Sequence, residues 1–437
     1  MNKFRLGDIA NVEISGIDKK TKEGESAVRL CNFTDVYYNW AITKNMYEGL
    51  MQASASKSDI KTFSLCKGQV AITKDSETRD DIGVATYIAD DFDDVVLGYH
   101  CALITPKTGV PEDEKIYGKY LNALLHTKYA QKYFSNNATG SGQRYTLSKE
   151  TIDDMPVYLP PYEEQVRIGD YLSDMDKKIE INNLINSNIE AIAKQLFEYW
   201  FVQFDFPDEK GKPYKSMGGK LVWNEVLNRE IPEGWEIATL SNKIKGKKSG
   251  DWGQDERKDT YSLQVNCIRG ADFPDPTNAP IRFISNKNKN RLLEEDDIII
   301  EISGGSPVQA TGRSVYVSKG LLENYHGNLT CSNFCQALNF DNKYVAPYFF
   351  FTWNLLYDNG NMFNYEGKTS GIKNLQIDTL MENYWYFPPK ELLLNFTTIY
   401  RDMLLMRDIN IKGINELLSL RNTLTPLLVY RQASIKD

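Results

Sequence analysis

The sequence predicts an α+β fold with two similar globular domains, each a mixed β-sheet with short helices, and two long helices. Three observations support this prediction. A set of landmark residues recurs about 230 positions along the chain. Each copy ends in a long segment whose apolar residues recur at helical steps of three and four. A stretch rich in proline, glycine and charge separates the copies. We therefore expect two domains, separated and joined by two long helices that form an antiparallel coiled coil.

The repeat rests on landmarks whose spacing varies by a single residue. The spacing is 228 or 229 residues for Leu65 and Leu293, Gly83 and Gly312, Tyr87 and Tyr316, Phe134 and Phe363, and the paired prolines Pro160-Pro161 and Pro388-Pro389. A period this long indicates duplicated domains, because the units of solenoid proteins are far shorter.

Length and composition limit the class of protein. The 437 residues can form two globular domains, and 41% hydrophobic with 12% aromatic residues is typical of a folded protein. No apolar run is long enough to span a membrane and no signal peptide is recognisable, so we expect a cytoplasmic protein. The six scattered cysteines favour reduced thiols over a disulfide framework. A net charge of −8 argues against coating nucleic acid by charge alone, but it allows a local basic surface.

The first globule is expected at residues 1–158 and the first long helix at 159–204. Along this helix the apolar positions step by three and four, shift in phase near Asn182-Asn183, and then resume; the shift resembles a stammer, which locally overwinds a coiled coil. The predicted seam residues are Ile168, Leu172, Met175, Ile179, Ile185, Ile189, Ile192 and Leu196.

Residues 205–234 are predicted to be a linker, residues 235–387 the second globule, and residues 388–437 the second long helix. The predicted seam of this helix comprises Ile399, Met403, Met406, Leu417, Leu420 and Leu424. Two such helices can bury their seams against each other. The alternative is that each helix packs only on its own globule.

A search for catalytic chemistry finds no recognisable site. The three histidines, His100, His126 and His326, have no metal-ligand spacing. Gly367-Lys368-Thr369 resembles the end of a phosphate loop, but Met362 stands where the first glycine is required. Leu159 replaces the Asn or Asp that precedes Pro-Pro-Tyr in amino-methyltransferases. These observations indicate a binding protein with no metal, cofactor or catalytic residue of its own.

Several segments resemble the specificity (S) subunits of type I restriction-modification systems, and the resemblance spans the whole chain. Its most specific part is residues 159–240. The matching segments are Phe4-Arg5-Leu6-Gly7-Asp8-Ile9, Leu159-Pro160-Pro161-Tyr162-Glu163-Glu164-Gln165, Phe201-Val202-Gln203-Phe204-Asp205, Gly211-Lys212-Pro213-Tyr214, Gly218-Gly219-Lys220-Leu221-Val222-Trp223 and Ile231-Pro232-Glu233-Gly234-Trp235-Glu236. The second copy departs from the pattern, because Pro388-Pro389-Lys390-Glu391-Leu392 lacks the Glu-Glu-Gln run.

The resemblance implies a DNA-reading subunit that has no catalytic activity by itself. Each globule would be a target-recognition domain for one half of a bipartite, asymmetric sequence in double-stranded DNA. Two methyltransferase subunits would dock on the helices and use S-adenosylmethionine to methylate adenine N6. A restriction subunit that translocates DNA would join them in phage defence.

Given that resemblance, basic and amide side chains become candidates for DNA contact. Gln143 and Arg144 are of the types that recognise adenine and guanine edges, and Lys368 and Lys373 occupy the matching place in the repeat. The phosphate candidates are Lys57, Lys61, Lys74, Arg79, Lys243, Lys245, Lys247, Lys248, Arg257, Lys258 and Arg313. The alternative for the cluster at 243–258 is a solvated charged loop.

Two other functions stay open at this point. The chain could be a scaffold or orphan subunit that assembles methyltransferase subunits without reading DNA. It could also be an enzyme with an unrecognised site, which methyl transfer or cleavage by the isolated chain would reveal.

Overall fold

The computed structural model describes residues 2–306, 308–369 and 371–435. The chain divides into two compact units, and each contains one globule with part of both long helices. The first unit comprises Met1–Asn182 and Gly413–Asp437, and the second comprises Asn183–Lys412.

The globule of the first unit contains thirteen strands among the described residues. They are β1 Asn2–Arg5, β2 Ala10–Ile14, β3 Ser26–Cys31, β4 Ala41–Ile42, β5 Met51–Ala55, β6 Val70–Thr73, β7 Asp75–Ser76, β8 Ala85–Ile88, β9 Val95–Leu97, β10 Cys101–Pro106, β11 Thr139–Ser141, β12 Arg144–Thr146 and β13 Pro156–Leu159. Its helices are α1 Leu6–Ile9, α2 Phe33–Tyr38, α3 Lys57–Phe63, α4 Gly118–Leu125, α5 Lys128–Asn137 and α6 Lys149–Asp153, and the long helix α7 Tyr162–Phe197 follows.

These strands form a five-stranded sheet in the order β2-β10-β6-β8-β4, two three-stranded sheets in the orders β5-β3-β9 and β11-β12-β7, and the pair β1-β13. Side chains of a strand point alternately to its two faces. Val70 and Ile72 of β6 accordingly pack in the core that includes α4 and α5, whereas Ala71 packs in the core that includes β3 and β9. Apolar residues at three consecutive positions of β6, Val70 to Ile72, thus place it between two cores.

The globule of the second unit repeats this arrangement. Its strands are β14 Leu221–Asn224, β15 Arg229–Pro232, β16 Glu236–Thr239, β17 Gly246–Ser249, β18 Leu263–Ile268, β19 Ile281–Ile284, β20 Ile298–Glu301, β21 Ser303–Gly304, β22 Ser314–Tyr316, β23 Leu329–Cys331, β24 Cys335–Asn339, β25 Glu366–Thr369, β26 Ile372–Leu375 and β27 Tyr384–Phe387. Its helices are α8 Lys319–Asn324, α9 Ala346–Asp358 and α10 Ile377–Met381, followed by the long helix α11 Lys390–Val429.

Sheet topology confirms that the two globules share a fold. The order β17-β24-β20-β22 matches β2-β10-β6-β8, and β19-β18-β23 matches β5-β3-β9, including its parallel pair. The sheet β21-β26-β25 matches β7-β12-β11, and β16-β27 matches β1-β13. Ile298 and Ile300 of β20 face one core and Ile299 faces the other, as in β6. The second globule has no counterpart of β4 among its described strands.

One landmark of the repeat is displaced by one residue. Gly83 and Gly312 both have positive φ, +79° and +108°, and the ring of Phe134 lies against Gly83. The corresponding contact on Gly312 is made by fully buried Met362, whereas Phe363 is 51% exposed. The pairing of Phe134 with Phe363 is therefore wrong, because the structural equivalent is a methionine one residue earlier.

The long helices are antiparallel where they meet in each unit. In the first unit Arg421 Nη1 lies 2.6 Å from Asp176 Oδ1, and Arg431 Nε lies 3.1 Å from Glu164 Oε1. In the second unit Asn410 Nδ2 donates to Asn186 Oδ1 at 3.1 Å. Residue numbers on α11 fall as those on α7 rise, as an antiparallel pair requires.

The predicted seam of α7 is correct only in part. Ile168, Leu172, Met175, Ile179 and Ile189 are buried and Leu196 is half-buried, but Ile185 and Ile192 are exposed. Half-buried Asn182 and Asn186 continue the buried face instead, and α7 is an unbroken α-helix there. The predicted stammer is wrong: polar Asn182 and Asn186 occupy two seam positions, and their polarity hid a seam that continues without a shift of phase.

The predicted seam of α11 is displaced by one residue. Ile399, Met406 and Leu420 are exposed, and Met403, Leu417 and Leu424 are only half-buried. The buried face instead contains Tyr400 and Leu404 in the second unit and Ile414, Arg421, Thr425 and Leu428 in the first. Polar Arg421 and Thr425 break the apolar pattern on this face, so the pattern of the neighbouring face was taken for the seam.

Each helix also packs on the globule that precedes it. Gln165 Nε2 of α7 donates to the carbonyl of Lys115 at 3.0 Å, and the ring of Phe396 of α11 packs edge-on against Phe351 with centroids 5.8 Å apart. The two packing alternatives considered from the sequence therefore occur together.

The segment at 205–234 is more ordered than a linker. Strands β14 and β15 form an antiparallel hairpin, and Phe206 stacks on Tyr214 with centroids 4.6 Å apart. Ile231 is buried in the core of the second unit. Aromatic and aliphatic residues among the glycines and charges explain this order, because they supply apolar surface that can be buried.

No helix in the described part of the chain is both long and apolar enough to cross a membrane.

Candidate nucleic-acid interface

A hairpin presents Gln143 and Arg144 at the surface of the first globule. Strands β11 and β12 pair antiparallel, and Gly142 at their turn has a φ of +73°, which favours glycine. Gly140 allows close strand approach, because an added Cβ would collide with the carbonyl of Arg144. Both predicted side chains are exposed at the turn.

These two side chains line a cleft of about 490 Å³. The opposite wall is helix α2, which contributes Phe33, Tyr37 and Tyr38. Tyr38 is 76% exposed, and Phe33 stacks on Tyr37 with centroids 5.6 Å apart. An amide, a guanidinium and exposed aromatic rings around one cleft are groups that bind nucleic-acid bases and sugars.

Hydrogen bonds hold the floor of the cleft. Asp75 Oδ2 lies 2.5 Å from His100 Nδ1 and 2.8 Å from Lys74 Nζ. Burial opposes ionisation of Asp75, but hydrogen bonds from Lys74, Thr146 and His100 outweigh it and lower the pKa of its carboxyl. Tyr37 Oη donates to Asp81 Oδ2 at 2.7 Å, and this bond raises the pKa of Tyr37 to about 12.

The second globule has an equivalent hairpin. Strands β25 and β26 pair antiparallel around Gly371, whose φ is +87°, and β21 lies beside β26 as β7 lies beside β12. Lys373 Nζ lies 3.1 Å from Glu366 Oε2. Lys368 lies in β25, but its side chain lies outside the described residues. The hairpin that was predicted at matching positions is thus present in both globules.

The phosphate candidates of the first unit have two kinds of surroundings. Lys57 and Lys61 lie on α3 and are exposed. Arg79 is exposed, with its guanidinium 5.3 Å from the ring centre of Tyr145 at the hairpin. Lys74 is mostly buried against Asp75, so its role in the structure is to hold that carboxylate.

Most candidates of the second unit are paired with carboxylates. Lys243 lies 2.7 Å from Glu236, Lys245 lies 3.6 Å from Asp341, and Lys247 pairs with Asp378. Lys248 is only 12% exposed and lies 2.8 Å from buried Asp297. The ion pair with Asp297 argues against a DNA contact by Lys248, because moving the Lys248 ammonium to a phosphate would leave the Asp297 carboxylate buried and unpaired.

Arg313 is also paired with a carboxylate of the protein. Its guanidinium donates two hydrogen bonds to Glu301, at 2.9 and 2.8 Å. Arg257 and Lys258, in contrast, are exposed. The exposed cations of both globules therefore remain the candidates that solvent or a phosphate can reach.

Sequence reasoning missed the aromatic part of the interface. Tyr37 and Tyr38 on α2, and His100 before β10, are distant from the hairpin in the sequence, and only the fold brings them together. The usable signal was the repeat: His100 precedes Cys101 at the start of β10, as Phe334 precedes Cys335 at the start of β24.

Comparisons with known proteins agree with this architecture. Residues 1–191 match the family described as the type I restriction modification DNA specificity domain. The chain is 26% identical over 345 residues to the type I restriction enzyme MjaIX specificity subunit of Methanocaldococcus jannaschii, covering 76% of this chain and 72% of that protein. It is 30% identical over 171 residues to the HindI specificity subunit of Haemophilus influenzae, covering 38% of this chain and 36% of that protein.

A solved structure shares the fold. The S subunit of a type I restriction-modification system from M. genitalium aligns with a TM-score of 0.55 at 15% identity, covering 98% of this chain and 95% of that one. The chain thus consists of two globules of the same fold with paired long helices. In sequence it resembles type I restriction enzyme specificity subunits, over residues 1–191 in the family match and over 345 residues in the M. jannaschii protein.

Proposed function

We propose that this chain is the sequence-specificity subunit of a type I restriction-modification complex and that each globule recognises one half of a bipartite, asymmetric DNA target. The observation that supports this most strongly is the hairpin sheet, which is present in both globules and, in the first, is exposed and lines an aromatic cleft. Two divergent copies of one fold suit unlike half-sites, because their exposed side chains differ.

The hairpin of the first globule has suitable chemistry for base recognition. A glutamine amide can pair with adenine N6 and N7, and an arginine guanidinium can pair with guanine O6 and N7 in the major groove. Gln143 and Arg144 are adjacent and exposed. Exposed cations such as Lys57, Lys61 and Arg79 would supply phosphate contacts that fix the register of the protein on the duplex.

Partner subunits are a further part of this proposal. Two methyltransferase subunits would dock on the long helices and bind S-adenosylmethionine, and a restriction subunit would join them. This chain would hold neither cofactor nor catalytic residues. Exposed apolar side chains on the outer faces support docking; in the second unit they are Leu184, Ile185 and Ile192 on α7, and Leu405, Met406 and Ile409 on α11.

The test is selection of DNA from a randomised duplex library by the chain assembled with its cognate methyltransferase. The proposal expects a single enriched sequence with two defined segments separated by an undefined spacer. A library that stays random after selection would contradict it.

The second candidate function is a scaffold that assembles methyltransferase subunits without reading DNA. The net charge of −8 and the paired lysines at 243–248 favour it. Reversing the charge of exposed Lys258 separates the two functions. A DNA reader should lose affinity and salt dependence, whereas a scaffold should be unaffected.

A further inference from the structure

His100 and Phe334 occupy equivalent positions in the two globules. The amide of Lys74 donates to the carbonyl of His100 at 2.8 Å, and the amide of Ile302 donates to the carbonyl of Phe334 at 2.8 Å. Lys74 and Ile302 each lie between two strands that are consecutive in sequence, β6 and β7 or β20 and β21, and Cys101 and Cys335 open the matching strands β10 and β24. The same backbone contact thus places two different side chains beside the two hairpin sheets.

The His100 ring is fixed with one nitrogen available. Its backbone has a φ of +73°, outside the range that a histidine ordinarily adopts, and its ring lines the aromatic cleft. Because the Asp75 carboxylate is an acceptor, the hydrogen shared at 2.5 Å lies on Nδ1 of His100. In the tautomer with its hydrogen on Nδ1, Nε2 is an acceptor, and no described residue hydrogen-bonds to it.

The Phe334 side chain has no polar group and is 56% exposed. Asn333, its neighbour, accepts a hydrogen bond from the amide of Trp252 at 3.0 Å. A large ring exposed to this degree is costly in water, so contact with an apolar group of a ligand would stabilise it.

We infer that His100 and Phe334 are equivalent specificity-determining residues that select different bases, an inference that rests on the proposed DNA-reading function. His100 Nε2 accepts a hydrogen bond from an exocyclic amino group in the major groove, which only adenine N6 and cytosine N4 supply. Phe334 packs against the methyl group of thymine. The two half-sites therefore differ at the base that contacts this position.

The test compares selected sequences for the wild-type complex and for two exchanges, His100→Phe and Phe334→His. His100→Phe should lower the preference for adenine or cytosine at one base of one half-site by roughly tenfold. Phe334→His should lower the preference for thymine at one base of the other half-site by a similar factor.

Two further variants control for folding and for nonspecific effects. His100→Asn tolerates positive φ and keeps a donor for Asp75 but has no atom at the Nε2 position, so the protein should fold and the preference for adenine or cytosine should be lost. His326→Phe alters an exposed histidine that also has positive φ, and it should leave the selected sequence unchanged.

The outcomes distinguish this inference from the function on which it rests. A bipartite sequence selected identically by wild type and both exchanges would overturn the inference and leave the proposed function standing. Absence of any selected sequence with the wild-type complex would overturn both. Because Phe334 is not at positive φ, the Phe334→His result decides the matter even if His100→Phe fails to fold.

Discussion

Arg421 of α11 lies between two partners in the first unit: its Nη1 is 2.6 Å from Asp176 Oδ1 of α7, and its guanidinium is 4.2 Å from the ring centre of Trp40. The arginine side chain is 11% exposed. A charged residue with so little solvent contact is stable only while both its charge and its planar face are compensated. This contact joins the globule to both helices within the first unit.

Removing the carboxylate should therefore destabilise the first unit strongly. We expect Asp176→Ala to lower the free energy of unfolding by about 3–5 kcal/mol, because Arg421 would be left as an unpaired buried charge. Urea denaturation followed by circular dichroism measures this change. Asp174→Ala is the matched control, since Asp174 pairs with Lys177 in solvent and its loss should cost at most about 1 kcal/mol. Equal losses for the two variants would contradict the prediction.

Half-buried His126 should make the protein sensitive to acid. Its ring lies 4.1 Å from the ring centre of Trp40, and burial lowers its pKa to about 4. Because this folded-state pKa lies below the unfolded value of about 6.5, the folded state resists protonation. The contribution of His126 to the free energy of unfolding is therefore fully present above pH 6.5 and is lost as the pH falls toward 4.

The contribution of His126 can be isolated by substitution. Asp176 acts in the opposite direction, since burial raises its pKa to about 6, so its protonation favours the folded state as pH falls. Between pH 6.5 and 4.5 we expect wild type to lose up to about 1.4 kcal/mol per pH unit more than His126→Phe. Parallel pH profiles of the two proteins would show that His126 is not the sensitive group.

Lys245, just before β17, and Lys248, within it, should respond differently to truncation. Lys248→Ala leaves buried Asp297 without its cation and should cost about 3–5 kcal/mol of folding free energy. Lys245→Ala removes a surface pair with Asp341 and should cost about 0–1 kcal/mol. Thermal unfolding compares them directly. A mild effect of Lys248→Ala would mean that Lys248 is available to other ligands after all.

The exposed isoleucines of α7 should matter for assembly and not for folding. The pair of substitutions Ile185→Ser and Ile192→Ser changes side chains that face solvent, so the melting temperature should change little. Docking of the methyltransferase subunit should weaken at least tenfold, because apolar surface would no longer be buried on binding. Calorimetric titration measures the affinity, and exposed Gln195→Ser is the control. Unchanged affinity would place the docking surface elsewhere.

Sequence patterns predicted those features that depend on periodicity within one chain segment. The duplication was visible because both copies keep a glycine, Gly83 or Gly312, and an apolar strand segment at the same spacing. In the structure these glycines have positive φ and the strands are buried on both faces. The helices were visible because their apolar spacing persists over many turns. The hairpin was visible because glycine marks its turn in both copies.

Features that depend on distant partners were not predictable in the same way. The buried face of α11 contains Arg421 because Asp176 and Trp40 compensate it, and neither partner can be identified from the sequence around Arg421. The seam was therefore placed one residue away. The cleft was missed because α2 and the hairpin are about 100 residues apart and only the sheet order brings them together.

The most direct test of the account is DNA selection by a complex in which Gln143 and Arg144 are both replaced by alanine. We predict that one half of the bipartite sequence loses definition while the other half and the spacer length stay as in wild type, because the second globule keeps its own hairpin. Loss of both halves together, or retention of both, would contradict the claim that two domains of the same fold recognise the two half-sites independently.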